Sequence, residues 1–313
     1  MKLLLPQSIP LAPSVPDGVE TVHYDASAPV PDEHLDAEAL VVWGSSGADV
    51  SAVAGRMPRL RWVQTLSAGP DSVLAAGFPD DVIITSGTGL HDRPVTEHAL
   101  ALVLTLVRRL PAAARAQAEH RWAEDIGGVQ PLRPEGPVTS LLGARVLIWG
   151  FGSIGQTLAP LLQQLGADVR GVAQSAGKRS GFPVVADEDL RDELGRTDVL
   201  LMILPSTRAT DRALDADRLE ALPPHAYVVN VGRGSTVDEP ALVAALSAGR
   251  IAGAALDVTG TEPLPADSPL WEAPNLVLTP HAAGGRPVDA DELISANVRA
   301  LLDGGELRNV VER

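Results

Sequence analysis

Three polar residues follow a glycine turn in a fixed order along this chain. The turn is Val146-Leu-Ile-Trp-Gly-Phe-Gly-Ser-Ile-Gly155; the polar residues are Arg233 in Asn-Val-Gly-Arg-Gly, Glu262 five residues after Asp257, and His281 in Thr-Pro-His. A guanidinium can grip a carboxylate through two parallel bonds and polarise a carbonyl beside it. An imidazole can give or take a proton near neutral pH, and a neighbouring carboxylate can hold and orient the ring. A glycine turn between an apolar strand and an apolar helix can seat a pyrophosphate on the helix N-terminus. Together these are the requirements for hydride transfer to a 2-keto acid.

The spacing of apolar residues predicts the elements that position these groups. Short apolar runs alternate with helical patterns throughout, the mark of a parallel-sheet α/β protein. Strands are expected at 2–5, 21–23, 40–43, 62–65 and 82–85, then at 145–149, 168–172, 199–203, 227–231, 253–257 and 276–279. Helices are expected at 153–165 and 289–302, and a long apolar one at 95–110, bounded by Pro94 and Pro111. The uniform apolarity of that last helix predicts full burial or a place in a dimer interface. The segment 121–143 carries Pro131, Pro134 and Pro137 and reads as a loop. Within the turn, Gly150 permits the tight bend, Gly152 lets the backbone approach a pyrophosphate, and Gly155 allows close helix–strand packing. The amides near Ser153 and Ile154 then become anion donors.

Composition sets the outer bounds. The 313 residues suffice for two domains, 45% are hydrophobic and only 3% aromatic, so the core must rest on Ala, Val, Leu and Ile. A net charge of −15 excludes nucleic acid and anionic membrane as favoured partners. The absence of cysteine excludes disulfides, thiol nucleophiles and cysteine-ligated metals; no metal site is expected. No apolar run reaches the length of a membrane span, and Met-Lys-Leu-Leu-Leu-Pro is too short for a signal sequence, so a cytoplasmic location is expected.

The strand after the glycine turn bears on which nicotinamide dinucleotide binds. An NAD site usually ends that strand with a carboxylate for the ribose 2′-hydroxyl. Here Ala173 and Gln174 occupy that place, with Lys178 and Arg179 a few residues on, a pattern that favours NADP(H) over NAD(H). Donors for a substrate carboxylate are expected from Arg233 and from Ser67, Ala68 and Gly69, whose amides follow a strand and could form an anion nest. Trp43, Ser45 and Ser46 follow another strand and are candidates for the pocket wall, and Arg286 for a polar substrate tail. His23, His34, His91, His120 and His225 read as structural, and His98 as a helix packing or capping residue.

The chain resembles the D-isomer-specific 2-hydroxyacid dehydrogenases, among them the glyoxylate/hydroxypyruvate reductases. The likeness is carried by Leu204-Pro-Ser-Thr-Arg208, Val228-Val-Asn-Val-Gly-Arg-Gly-Ser-Thr-Val-Asp238, Gly249-Arg-Ile-Ala-Gly-Ala-Ala-Leu-Asp-Val258, Pro269-Leu-Trp and Leu278-Thr-Pro-His-Ala-Ala-Gly284. Trp62-Val-Gln-Thr-Leu-Ser-Ala-Gly69 and Thr96-Glu-His-Ala-Leu add to it. The resemblance implies an α/β fold of two domains with a cleft between them. A Rossmann-type doubly wound parallel sheet from 93 to 283 would carry the cofactor, and a smaller flavodoxin-like α/β domain from 1–92 and 284–313 the substrate. It implies Arg233 as carboxylate binder, His281 as proton donor to the developing alkoxide, Glu262 as its partner, Asp257 beside the nicotinamide carboxamide, and a homodimer. Glyoxylate, hydroxypyruvate and other small 2-keto acids are the candidate substrates. Two alternatives share the fold. Dinucleotide-sensing corepressors keep cofactor binding without needing turnover, and formate dehydrogenases pair the histidine with Gln rather than Glu.

Overall fold

The computed structural model describes residues 1–132 and 134–312. They fall into two compact units, Met1–His91 with Arg286–Arg313, and Asp92–Gly285.

The first unit begins with β1 (Lys2–Pro6), β2 (Glu20–Tyr24), β3 (Ala39–Val42), α1 (Gly47–Ala54), β4 (Trp62–Thr65), α2 (Asp71–Ala75) and β5 (Ile83–Thr85). Its sheet is parallel throughout, in the order β2-β1-β3-β4-β5. Parallel strands are covered on both faces, which is why β1 reads Leu3-Leu4-Leu5 instead of alternating with polar residues. Leu4, Leu40, Val63 and Ile84 meet Val50 and Val53 of α1 and Val73 of α2 on one side. Leu3, Leu5, Val41 and Trp62 lie on the other, packed with residues near the C-terminus. Burial pushes the Tyr24 phenol up to about 12, against a hydrogen bond with Ser45, and its hydroxyl donates to Val41 O at 2.9 Å.

The second unit continues with α3 (Asp92–Val107), α4 (Leu110–Ala118), β6 (Arg145–Trp149), α5 (Ser153–Gln164), β7 (Asp168–Ala173), β8 (Gly177–Arg179), β9 (Phe182–Ala186) and α6 (Leu190–Leu194). It closes with β10 (Val199–Met202), α7 (Ala216–Ala221), β11 (Tyr227–Asn230), α8 (Glu239–Ser247), β12 (Gly253–Leu256) and β13 (Leu276–Leu278). Its eight strands run in the order β13-β12-β11-β10-β6-β7-β9-β8, with only the edge strand β8 antiparallel to its neighbour. Ile148, Leu201 and Val229 pack with Ala99, Val103, Leu158 and Leu162 of α3 and α5 on one face. Leu147, Leu200 and Val228 pack with Leu194, Leu219 and Leu242 of α6, α7 and α8 on the other. The order reverses between β6 and β10, where open α/β sheets bind ligands beyond the strand ends.

The chain then returns to the first unit as α9 (Ala290–Asp303), whose Leu293, Ile294 and Val298 complete that core. Among the described residues no helix is long and apolar enough to cross a membrane.

The long helix expected at 95–110 is α3, which starts three residues earlier and stops at Val107, and a second helix, α4, begins at Leu110. Pro94 lies inside the first turn of α3 rather than before it, and Pro111 inside the first turn of α4. The first turn has no intrahelical partner for its N–H groups, so proline's missing donor costs nothing there. Between them Arg109 takes a left-handed conformation, φ 53°, and breaks the run. The segment carrying Lys178 and Arg179, where no strand is expected, forms the edge strand β8. Its pairing with β9 is invisible in so short a polar stretch.

A buried polar network ties α9 to its sheet. Gln64 Nε2 donates to Thr65 O and Ser86 O, while Gln64 Oε1 accepts from Thr85 Oγ1 and Asn297 Nδ2, both at 2.9 Å. Asn297 Oδ1 also accepts from Arg308 N at 2.7 Å. Replacing Asn297 by Leu strands these partners in the interior, where an unmade bond costs about 2 kcal/mol. The expected result is a lower urea midpoint for the Asn297→Leu variant at an unchanged slope.

Candidate active site

The residues singled out in the second unit gather along one edge of its sheet, beyond the carboxyl ends of the strands. Gly150 follows β6 with φ +98°, and a Cβ there would stand 2.5 Å from Ile203 O at the end of β10. Only glycine fits that contact. A Cβ on Gly152, by contrast, would meet nothing within 4 Å. Gly152 is also the N-cap of α5 and supplies no side-chain cap. The first amides of α5, including those of Ser153, Ile154 and Gly155, therefore face an open cradle without a capping oxygen, the setting a pyrophosphate needs.

Beside the cradle, at the end of β7, stands Ala173 with no carboxylate. Arg179 reaches the same place from β8. Its guanidinium donates to Phe151 O at 3.3 Å and to Ser175 Oγ at 3.0 Å, so it lies against the glycine turn itself. Side chains alternate along a strand, which turns Lys178 to the opposite face of β8.

Arg233 follows β11 and has its backbone fixed from both sides. Its carbonyl accepts from Asn230 Nδ2 at 3.0 Å and Thr236 Oγ1 at 2.6 Å, and Asn230 Oδ1 accepts from Gly232 N. Its Nη1 donates to Gly232 O at 2.9 Å. The glycines flanking it are required by close approach. A Cβ on Gly232 would meet Leu204 O at 2.6 Å, and one on Gly234 would meet Thr259 C at 1.9 Å. The second contact brings the Arg233 turn against the loop that carries Glu262, whose Oε1 accepts from Thr259 N at 3.0 Å.

His281 sits just past β13 with φ 50°. Its Nδ1 lies 2.7 Å from Glu262 Oε2, which leaves Nε2 for a reactant. The loop bearing His281 hangs on Asp257, a buried residue at the end of β12. Asp257 O accepts from His281 N at 2.8 Å, Oδ1 accepts from Thr279 Oγ1 at 2.6 Å and Ala282 N at 2.9 Å, and Oδ2 accepts from Ala283 N at 3.1 Å. His98, expected to serve packing or capping on α3, reaches Asp257 Oδ1 at 3.1 Å and Thr279 Oγ1 at 3.0 Å. Only the fold brings these groups together.

In the first unit, Trp43 stacks on His91 with ring centroids 5.3 Å apart, and His91 Nε2 lies 2.7 Å from Leu66 O. The next residues are Ser67, Ala68 and Gly69. The Ser67 amide donates to Thr65 Oγ1 at 3.1 Å and Ser67 O accepts from Gly87 N at 2.7 Å, so the turn is anchored and its remaining donors are the Ser67 hydroxyl and the Ala68 and Gly69 amides. The Ser46 hydroxyl is the N-cap of α1, in a reciprocal box with Asp49. Sequence reasoning missed Ser175, Thr279 and the place of His98. Of these, only Ser175 carried a signal, its position two residues past Ala173.

The fold and this edge define a dinucleotide-binding α/β protein with an arginine and a carboxylate-paired histidine at its strand ends. The profile of the D-isomer specific 2-hydroxyacid dehydrogenase NAD binding domain matches residues 100–283. A glyoxylate/hydroxypyruvate reductase A from Salmonella heidelberg (strain SL476) is 34% identical over 276 residues, 84% of this chain and 83% of that protein. Among solved structures, a D-isomer specific 2-hydroxyacid dehydrogenase of Xanthobacter autotrophicus Py2, in complex with NADPH and MES, superposes with a TM-score of 0.80 at 30% identity. It covers 99% of this chain and 97% of that one. An NADPH-dependent glyoxylate/hydroxypyruvate reductase of Sinorhizobium meliloti, in complex with NADP and sulfate, gives a TM-score of 0.83 at 25% identity, over 99% and 98% of the two chains. The chain belongs to the D-isomer specific 2-hydroxyacid dehydrogenase family. It is an NAD(P)-dependent oxidoreductase of small 2-keto and 2-hydroxy acids.

Proposed function

We propose that the protein is an NADPH-dependent reductase of glyoxylate, hydroxypyruvate and similarly small 2-keto acids. The observation that carries this reading is the 2.7 Å pairing of His281 Nδ1 with Glu262 Oε2, on a loop in backbone contact with the Arg233 turn. The Salmonella and Sinorhizobium relatives named above support the substrate class. The unit Asp92–Gly285 would hold the dinucleotide, and the unit Met1–His91 with Arg286–Arg313 would contribute substrate contacts.

The cofactor assignment draws on the open cradle at Gly150, Gly152, Ser153, Ile154 and Gly155 and on the residues beyond β7. Arg179 and Ser175 form a ready 2′-phosphate site, and Ala173 presents no carboxylate to repel the phosphate; Lys178, on the opposite face of β8, contributes no direct contact in this reading. Asp257 Oδ2, which accepts from Ala283 N at 3.1 Å, is the acceptor assigned to the nicotinamide carboxamide. When bound, the reduced nicotinamide supplies the hydride. Arg233 binds the substrate carboxylate and polarises the adjacent ketone. In the first unit, the Ser67 hydroxyl and the Ala68 and Gly69 amides are donors of the kind a substrate carboxylate takes. His281 Nε2–H delivers the proton to the oxygen as negative charge develops on it, while Glu262 holds the ring from Nδ1.

The protein acts as a homodimer in this reading. Trp122 is 88% exposed, and Leu110, Val129, Leu132 and Leu142 in the same stretch of chain also face outward. Exposed apolar side chains in one stretch of chain are what a covering surface would bury, and a second copy is the occupant proposed.

Purified protein is expected to consume NADPH with glyoxylate or hydroxypyruvate. His281→Ala should lower kcat by roughly 10²-fold or more, the usual contribution of a positioned proton donor; an inactive wild type, or an active His281→Ala, would overturn the assignment and leave a dinucleotide-binding interaction module as the reading. Arg179→Ala should raise KM for NADPH by roughly 10-fold, the value of one charge-assisted pair, with KM for NADH unchanged. Trp122→Asp should shift the sedimentation coefficient from that of a dimer to that of a monomer.

A further inference from the structure

His98 stands midway along α3, on a turn whose neighbours Ala99, Leu102 and Val103 are locked in the core of the second unit. Its Nε2 lies 3.0 Å from Thr279 Oγ1 and 3.1 Å from Asp257 Oδ1. A hydroxyl carries one proton, and that of Thr279 is directed to Asp257 Oδ1 at 2.6 Å. Both oxygens facing His98 are therefore acceptors, and the imidazole must carry its hydrogen on Nε2 to meet them. The tautomer follows from the network.

The two atoms that His98 holds govern the loop from Thr279 to Ala283. Asp257 binds Thr279, Ala282 and Ala283 through its carboxylate and His281 through its carbonyl. His281 lies in the middle of that loop in a left-handed conformation, φ 50°. Such a backbone costs about 1–2 kcal/mol for a residue with a Cβ and persists only where surrounding bonds impose it. His98 is the strut that joins this loop to a rigid helix.

We propose that His98 is a positioning residue for the proton donor: by fixing Asp257 and Thr279 it holds His281 in reach of both Glu262 and the substrate oxygen. The proposal rests on the reading of His281 given above. His98 meets Asp257 at Oδ1, the oxygen that also holds Thr279 and Ala282, and not at Oδ2, the one assigned to the nicotinamide carboxamide, so its loss should fall on the chemical step. Misplacement of a catalytic group by a fraction of an ångström to one ångström lowers turnover without removing binding contacts.

The test measures NADPH-dependent reduction of glyoxylate by the wild type and by His98→Leu, His98→Gln, Thr279→Val and His281→Ala, with NADPH affinity read by fluorescence quenching. His98→Leu should lower kcat on the order of 10-fold, while KM for glyoxylate and the NADPH Kd stay near wild type. His98→Gln, whose amide Nε2–H can reach the same two oxygens, should recover most of kcat. Thr279→Val removes the His98–Thr279 bond from the other side together with the Thr279–Asp257 bond, and should lower kcat at least as far as His98→Leu. The double variant should lose less than the two single losses multiplied, because the two variants share the His98–Thr279 bond. Wild-type kcat in His98→Leu, failure of Gln to rescue, or an equal loss of NADPH affinity would overturn the proposal. Should His98→Leu fail to fold, wild-type kcat in Thr279→Val overturns it equally. An inactive wild type or a fully active His281→Ala would instead overturn the reading of the site itself, and this proposal with it.

Discussion

Three backbone contacts without room for a side chain set the carboxyl edge of the larger sheet. Gly150 lies against Ile203, Gly232 against Leu204, and Gly234 against Thr259. Through them the turns after β6, β10 and β11 and the loop after β12 form one continuous strip of main chain. The polar residues standing on that strip inherit their separations from it. Arg233 is placed by the two glycines beside it and by the buried Asn230. Glu262 is placed by the loop that Gly234 touches.

The second determinant is the buried carboxylate of Asp257. Its oxygens are satisfied by a hydroxyl, two amides and an imidazole, so burial costs it little. The same four bonds bend the chain past β13 into the conformation that presents His281. A carboxylate bonded in this way holds the loop in place, and its neighbours Thr279 and His98 belong to the same network. The cofactor cradle follows a different rule. There the useful feature is what the chain leaves unmade, the helix amides at α5 with no cap of their own.

Much of this was legible in the linear chain. Consecutive Leu3-Leu4-Leu5 and the apolar runs before Gly150 and Gly232 announce strands covered on both faces, and the strand expected at 62–65 is the one observed. The glycine spacing and the order Arg233, Glu262, His281 single out the proposed site by residue type and spacing. Local rules failed where local signals were weak. Pro94 and Pro111 resemble helix boundaries in sequence, yet both sit in first turns, and the break between α3 and α4 lies at Arg109, a residue with no breaking tendency of its own.

The sequence by itself determined the α/β alternation, the glycine turn and the identities of the side chains proposed to react, since these depend on residue type and short-range spacing. Tertiary structure decided which polar groups meet. The bond between His98 and Thr279 spans 181 residues, and that between Asn297 and Gln64 spans 233. Arg179 reaches the glycine turn only because β8 folds back on β9 at the sheet edge. No periodicity encodes such pairings: they arise when helices and strands pack to bury their apolar faces, and the polar atoms carried along must then find partners among whatever the packing has placed beside them.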